Sequence, residues 1–343
     1  MMRRLLLLWL VAPVLPLAAQ SHAPAWRDAA PGRPITVPAD HASHPDYKIE
    51  WWYYTGNLDA DGGERYGYQL TFFRIGIDPA PANRSRWAVR DLFMAHVAVT
   101  DVRGRRYRFT ERLNRGGPGW AGAASDRYRV WNEDWEATLE NGAHHLRARA
   151  DGFGLDLVAD DDRAPVLHGR DGFSQKGASI GNASHYYSLT RMPTRGTITI
   201  DGRAVPVRGS SWMDHEFGTS FLEAEQVGWD WFSIQLDDGR DLMLFQMRRR
   251  DGRLDPRSSG TLVQADGTVT SLTLAQGIQM TPGRTWTSAA TGARYPVAWS
   301  VRVPGAGLDL TVTTPVDDQE LHNARSSGVS YWEGTIDVGG TAN

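Results

Sequence analysis

From Asp46 onward, apolar and polar residues alternate with a period of two, and no ten-residue stripe of helical period interrupts them. Strand-like segments fall at 47–58, 64–76, 91–100, 105–112, 135–140, 144–150, 153–159, 185–192, 196–201 and 204–217. A second series follows at 229–237, 241–248, 260–264, 268–274, 295–303, 307–313 and 329–338. Asp61-Gly62-Gly63, Asp151-Gly152, Asp201-Gly202, Asp238-Gly239, Asp251-Gly252 and Asp266-Gly267 supply the turn chemistry that tight hairpins need. Two longer loops, about 113–127 and 160–184, are of a length often used for lids or site elements. The pattern predicts an all-β chain.

A weak repeat divides it. Trp231-Phe232-Ser233-Ile234-Gln235-Leu236-Asp237 echoes Trp52-Tyr53-Tyr54-Thr55-Gly56-Asn57-Leu58-Asp59, and Gly307-Leu308-Asp309-Leu310 echoes Gly154-Leu155-Asp156-Leu157. Two units of about eight antiparallel strands suit two tandem lipocalin-like β-barrels, each just wide enough for one small apolar ligand. A pair of β-sandwiches stays open as the competing layout. We place the barrels at 46–217 and 218–343. In the second, the segment 329–338 reaches Gly339-Gly340 without a return strand, so that barrel is expected to lack its closing strand and to expose an edge.

Residues 1–20 read as a signal peptide: Arg3 and Arg4, an apolar run from Leu5 to Leu17, then Ala18 and Ala19. The run is too short, and too interrupted by Pro13 and Pro16, for a stable membrane span. A periplasmic or secreted location is expected. Residues 21–45 carry five prolines and read as a leader running extended over the surface. Absence of cysteine excludes disulfides, thiolate ligands, a cysteine nucleophile and a lipid-modified cysteine. Net charge is −3, or −5 without Arg3 and Arg4, and no basic stripe appears, so nucleic acid is not an expected partner. Fourteen tryptophans among 343 residues imply large amphipathic rings lining surfaces or a cavity.

Ionisable groups concentrate at Trp212-Met213-Asp214-His215-Glu216-Phe217-Gly218. On a strand, Trp212, Asp214 and Glu216 share one face while Met213, His215 and Phe217 share the other. Like charge and burial both raise carboxyl pKa values, which leaves an acid able to donate a proton near neutrality. The plainer alternative is a solvated acidic face, with His215 as a core histidine. Candidate catalytic residues are Asp214, Glu216, His215 and Tyr186. Candidate ligand-binding residues are Glu50, Trp52, Arg74, His96, Trp212, Asp230 and Trp231. Arg74 ends an apolar strand, where it can pair with Asp214, Glu216 or an anionic ligand group. His96 is either a satisfied interior histidine or a lumen partner of Tyr186, Asp214 or His215. With His168 and His185 a metal site is conceivable, but no histidine pair has readable ligand spacing, and neither metal nor cofactor is assigned.

Several segments resemble the family of AttH proteins and CrtC-type carotenoid 1,2-hydratases. They are Glu50-Trp51-Trp52-Tyr53-Tyr54-Thr55-Gly56-Asn57-Leu58, Tyr66 to Arg74, Ala95-His96 leading to Asp101, Leu167-His168-Gly169, His185-Tyr186-Tyr187-Ser188, and Ser211 to Gly218. Gly228-Trp229-Asp230-Trp231-Phe232 opens the second half in the same style. The resemblance implies a tandem lipocalin-like fold, and in this family one more Gly-rich strand usually follows the Tyr-Trp-Glu-Gly segment. It also implies isoprenoid hydratases, polyene cyclases and proteins encoded with ABC-type exporters as relatives. Three functions follow as expectations: an exported protein that binds a hydrophobic small molecule near the barrel junction, in association with an ABC-type transporter; a cofactor-independent hydratase or cyclase protonating an isoprenoid alkene on Asp214 or Glu216; and a structural envelope protein without a ligand. Tryptophan faces would shield the carbocation of the second.

Overall fold

The computed structural model describes residues 25–342 apart from 84, 180 and 221; the signal-like residues 1–20 lie outside the described residues. The first unit comprises β1 (Ile49–Ala60), β2 (Arg65–Gly76), β3 (Asp91–Asp101), β4 (Arg106–Arg115), β5 (Ala121–Ala123), β6 (Arg129–Asn132) and β7 (Trp135–Glu140). It continues through β8 (Ala143–Ala150), β9 (Phe153–Asp160), β10 (Val166–Leu167), β11 (Phe173–Gln175), β12 (Ala183–Ile200) and β13 (Arg203–Gly218). Their order is β4-β3-β2-β1-β13-β12-β9-β8-β7-β6-β5, with β10 and β11 paired to β12. Side chains bring the two ends of this sheet together: Arg112 Nη1 donates to the Asn132 carbonyl (2.8 Å) and Asn114 Nδ2 to Asn132 Oδ1 (2.7 Å). The result is a nearly closed barrel.

Even-numbered residues of β1 and odd-numbered residues of β13 point into its lumen. Trp52, Tyr54, Leu58, Leu70, Phe72, Tyr187, Leu189 and Met213 are all buried there in one apolar cluster. The lumen expected to hold a small ligand is therefore packed by the protein's own rings, each worth a few kcal/mol on burial. Two segments read as separate strands, 185–192 and 196–201, are one long β12, whose register shifts between Leu189 and Met192. That shift lets one strand serve both ends of the barrel.

The leader differs from the expectation. Residues Ala39–His41 form a 3-10 turn, and His41, Ala42 and Ser43 are buried at the barrel mouth. The Trp52 Nε1–H donates to the His41 carbonyl (2.9 Å), so the leader plugs the lumen there instead of lying on the surface.

The second unit contains β14 (Gln226–Gln235), β15 (Asp241–Arg249), β16 (Ser259–Val263) and β17 (Val269–Thr273) in one sheet. A second sheet, in the order β18-β21-β22-β25, is formed by β18 (Gln279–Pro282), β21 (Ala298–Val303), β22 (Leu308–Thr313) and β25 (Asp337–Ala342). Short hairpins β19–β20 (Thr285–Thr287, Arg294–Pro296) and β23–β24 (Glu320–Leu321, Tyr331–Trp332) complete it. Phe232, Leu244, Leu262, Met280, Trp299, Val301 and Leu310 from both sheets share one core. The repeat is visible in three dimensions, since Leu155 and Leu157 of β9 and Leu308 and Leu310 of β22 play the same core-facing part. The segment read as one strand at 329–338 is instead two pieces with different partners, β24 and β25. Among the described residues β25 pairs with β22 alone, so this barrel is open along that edge.

Residues 314–336 form a strap that leaves β22 and crosses the outer face of β1–β4. Thr100 Oγ1 donates to Gln319 Oε1 (2.6 Å), Thr335 bonds Asn57, and the Arg325 N–H donates to Glu111 Oε1 (2.9 Å). A β-carbon on Gly67 would lie 2.8 Å from Thr335 Cβ, so the close approach requires glycine there. Gly67→Val is expected to cost about 1–3 kcal/mol by overpacking and to loosen the strap. Thermal unfolding should then show a Tm lower by several degrees and earlier proteolysis within 314–336; an unchanged Tm would contradict this docking.

Candidate functional site

The face of β13 that carries Trp212, Asp214 and Glu216 is the outer face of the first barrel, and the second unit covers it. Asp214 is 5% exposed. Three donors reach its carboxyl: the Ser188 hydroxyl, Trp212 Nε1 (2.7 Å) and the Tyr186 hydroxyl (2.9 Å). Cross-strand register explains the first, because Ser188 of β12 lies opposite Asp214. Behind them, Trp231 Nε1 of β14 donates to the Tyr186 oxygen (3.2 Å), and His168 Nε2 lies 2.6 Å from the Ser188 hydroxyl. Met243, Phe245 and Met247 of β15 pack on Tyr186 and Trp212.

Burial outweighs those hydrogen bonds and pushes Asp214 up to about 7, with the Glu216 charge acting in the same direction. Glu216 has its own cation: Lys176 Nζ sits 2.9 Å from its Oε1 and lies over the Tyr186 and Phe245 rings. Burial also lowers His168 to about 3, so it is neutral here.

A second acid enters from the strap. Glu333 has its Oε1 buried with no hydrogen-bond partner; burial pushes it up to about 8, opposed by the Tyr53 hydroxyl and reinforced by Asp214. Tyr53, Trp231, Tyr331 and Glu333 are each only half-buried and form the lip of the junction. Tyr53 and Trp231 meet edge to face, ring centroids 5.4 Å apart. An open surface cleft of about 580 Å³ reaches the Tyr186–Trp212 cluster through Leu222, one of its lining residues.

The structure thus joins Asp214, Glu216, Tyr186, Trp212 and Trp231, and sends the other candidates elsewhere. His215 and Trp52 face the lumen, their rings stacked at 4.9 Å, and His215 Nε2 bonds Glu50 Oε1 (3.0 Å). Arg74 does not pair with Asp214 or Glu216: it is committed to Glu50 (3.1 Å), Asp91 (3.0 Å) and the carbonyls of His44 and Tyr47. Glu50, equally buried, is held well below the carboxylate range because His215, His44 and Arg74 supply what burial removes. His96 lies outside the lumen on β3, with Nδ1 2.8 Å from the Tyr331 hydroxyl and Nε2 2.9 Å from Ser326, and burial lowers it to about 4. Asp230 takes a hydrogen bond from Gln246 (2.9 Å) and pairs with Arg248 (3.5 Å). Glu333 and Tyr53 escaped the sequence reading, although both lie in segments singled out for their aromatics.

Both raised carboxyls bind protons in the fold that they release when unfolded, so their contribution to stability is complete below about pH 4 and lost as pH rises through 7 to 8. Asp214→Asn should flatten the fall of Tm across pH 5–8 by a few degrees. A wild-type Tm that does not fall across that window, or the same slope in the variant, would contradict the burial of a neutral Asp214.

The AttH-like family profile matches residues 28–343. A crystal structure designated AttH, from Nitrosomonas europaea, is 34% identical and superposes with a TM-score of 0.83 over 92% of this chain and 96% of that one. Kievitone hydratase from Nectria haematococca is 15% identical, with a TM-score of 0.71 over 93% and 91% respectively, which shows a shared fold. No curated protein matches significantly in sequence.

Proposed function

This chain belongs to the AttH-like family, and from that premise we propose that its barrel junction binds a hydrophobic isoprenoid or polyene and protonates an alkene of it, without a cofactor. The single observation that carries this reading is the pair of desolvated carboxyls beside Tyr53, Trp212 and Trp231, Asp214 pushed up to about 7 and Glu333 to about 8, so that near pH 7 Glu333 keeps its proton while Asp214 exchanges one. A passive apolar site has no use for two desolvated acids. The kievitone hydratase likeness adds a hydratase on the same fold.

The two acids differ in what surrounds them, which assigns their roles. Glu333, whose anion has the Tyr53 hydroxyl alone against the three donors of Asp214 and whose Oε1 is buried without a partner, is the proton donor. Its proton forms a C–H bond with the alkene π pair, leaving a carbocation that the indole and phenol faces stabilise. Water adds to the cation, and Asp214 in its ionised form, which a pKa of about 7 leaves populated at neutral pH and whose anion three donors support, takes the released proton. In a cyclase a second alkene replaces water, and the proton leaves from carbon.

The second reading, a binding protein that returns its ligand unchanged and works with an ABC-type transporter, draws its support from the signal-like residues 1–20, which also make a periplasmic or secreted location our proposal.

Incubation with isoprenoid alkenes in D2O tests the chemistry. The wild type should place deuterium on carbon, and Glu333→Gln and Asp214→Asn should each lower that rate by about 10²–10⁴-fold, the range for one acid–base group. Ligand retained without deuterium incorporation supports the binding protein; full rates in both variants overturn the assignment.

A further inference from the structure

Away from the junction, the mouth of the first barrel holds two groups of three ligand-type atoms lying within 4.8 Å of one another: His44, Glu50 and His215, and His41, His144 and Asp161. They are neighbours, bridged by the Tyr187 hydroxyl, which is 2.6 Å from His41 Nδ1 and 3.0 Å from His215 Nδ1. Their charge balance differs. In the first group Glu50 receives His44, His215 and Ser43, and the Arg74 guanidinium already supplies a cation at 3.1 Å. That group is complete.

The second group is not. Among the described residues Asp161 pairs with no lysine or arginine; His41 Nε2 and His144 Nε2 lie 3.2 Å and 3.5 Å from its Oδ2. His144 is fully buried, and its Nε2 has no hydrogen-bond partner. Both rings are oriented through their other nitrogen, His41 by Tyr187 and His144 by Tyr54 (2.7 Å), which is how metal-bound histidines are commonly held. With metal–ligand bonds of about 2.0–2.2 Å, tetrahedral or octahedral ligand atoms stand about 3–3.5 Å apart. Both histidine-to-carboxylate separations have that size, and all three ligand atoms lie within 4.8 Å of one another.

We propose that His41 Nε2, His144 Nε2 and an Asp161 carboxylate oxygen bind one divalent first-row transition ion of the Zn2+ class. Two imidazoles and a carboxylate suit such an ion better than Mg2+ or Ca2+, which prefer all-oxygen sets. The ion would fasten the leader turn Ala39–His41 to β8, through His144, and to the chain just beyond β9, through Asp161. Positions 41, 144 and 161 have no motif spacing, which is why the sequence gives no sign of the site. The inference stands apart from the alkene chemistry, because no junction residue takes part.

The untagged chain, stripped with chelator and titrated with Zn2+, tests it. One equivalent should bind and raise Tm. His144→Gln and Asp161→Asn should each weaken Zn2+ by at least about 100-fold, the upper end of what losing a ligand's hydrogen-bond partner costs. His44→Gln, in the neighbouring group, should keep the full equivalent. A Co2+ spectrum of the unmutated chain, showing imidazole ligation, reads the site without any variant. Failure of Zn2+ and Co2+ to bind the unmutated chain, or an equivalent retained in His144→Gln, would overturn the proposal.

Discussion

The removal of Asp214 from water by the docking of one β-surface on another is the constraint on which the junction depends. An antiparallel sheet commonly keeps one face solvated, and β12 and β13 place Ser188, Tyr186, Trp212, Asp214 and Glu216 on the face that would be solvated in a lone barrel. Here β14, β15 and the strap cover it. Each hydrogen bond to a charged group returns about 1.5–3 kcal/mol, while the effective cost of burying an ion is several kcal/mol. The two quantities are of similar size, and the raised value of Asp214, near neutrality, shows that here the three donors offset the burial only in part.

Glu50 shows that depth alone does not set the sign. It is as buried as Asp214, one barrel wall away, yet Arg74 and two histidines hold its anion. Glu50 is a structural ion at the plugged mouth; Asp214 and Glu333 are proton-carrying groups at the lip. The lumen packing has the same consequence for function, since a barrel filled by Trp52, Tyr54 and Phe72 leaves the chemistry to its outer face.

The fold was largely legible because period-two alternation and Asp-Gly turns are local signals. Segments such as 135–140 match β7, and the alternation in Trp212–Phe217 gave the right faces for Asp214 and His215. What escaped is long-range. Nothing local tells Arg74 to choose Glu50 over Asp214, or brings Glu333 to a carboxyl 119 positions earlier in the chain. Those choices are made by strand order and by a strap whose path is set through contacts such as Thr335 on Gly67. Local pattern separates 185–192 from 196–201, and only the pairing with β13, through a register shift, shows one β12 strand passing through.

The central claim is that the junction carboxyls keep their protons up to near-neutral pH. Difference infrared spectroscopy of the carboxyl C=O stretch across pH 4–9, with Asp214→Asn and Glu333→Gln as controls, measures it most directly. The account predicts protonated bands that persist at pH 6, disappear between about pH 7 and 8, and are each absent from one variant. Bands already lost by pH 5 in the unmutated chain would contradict it.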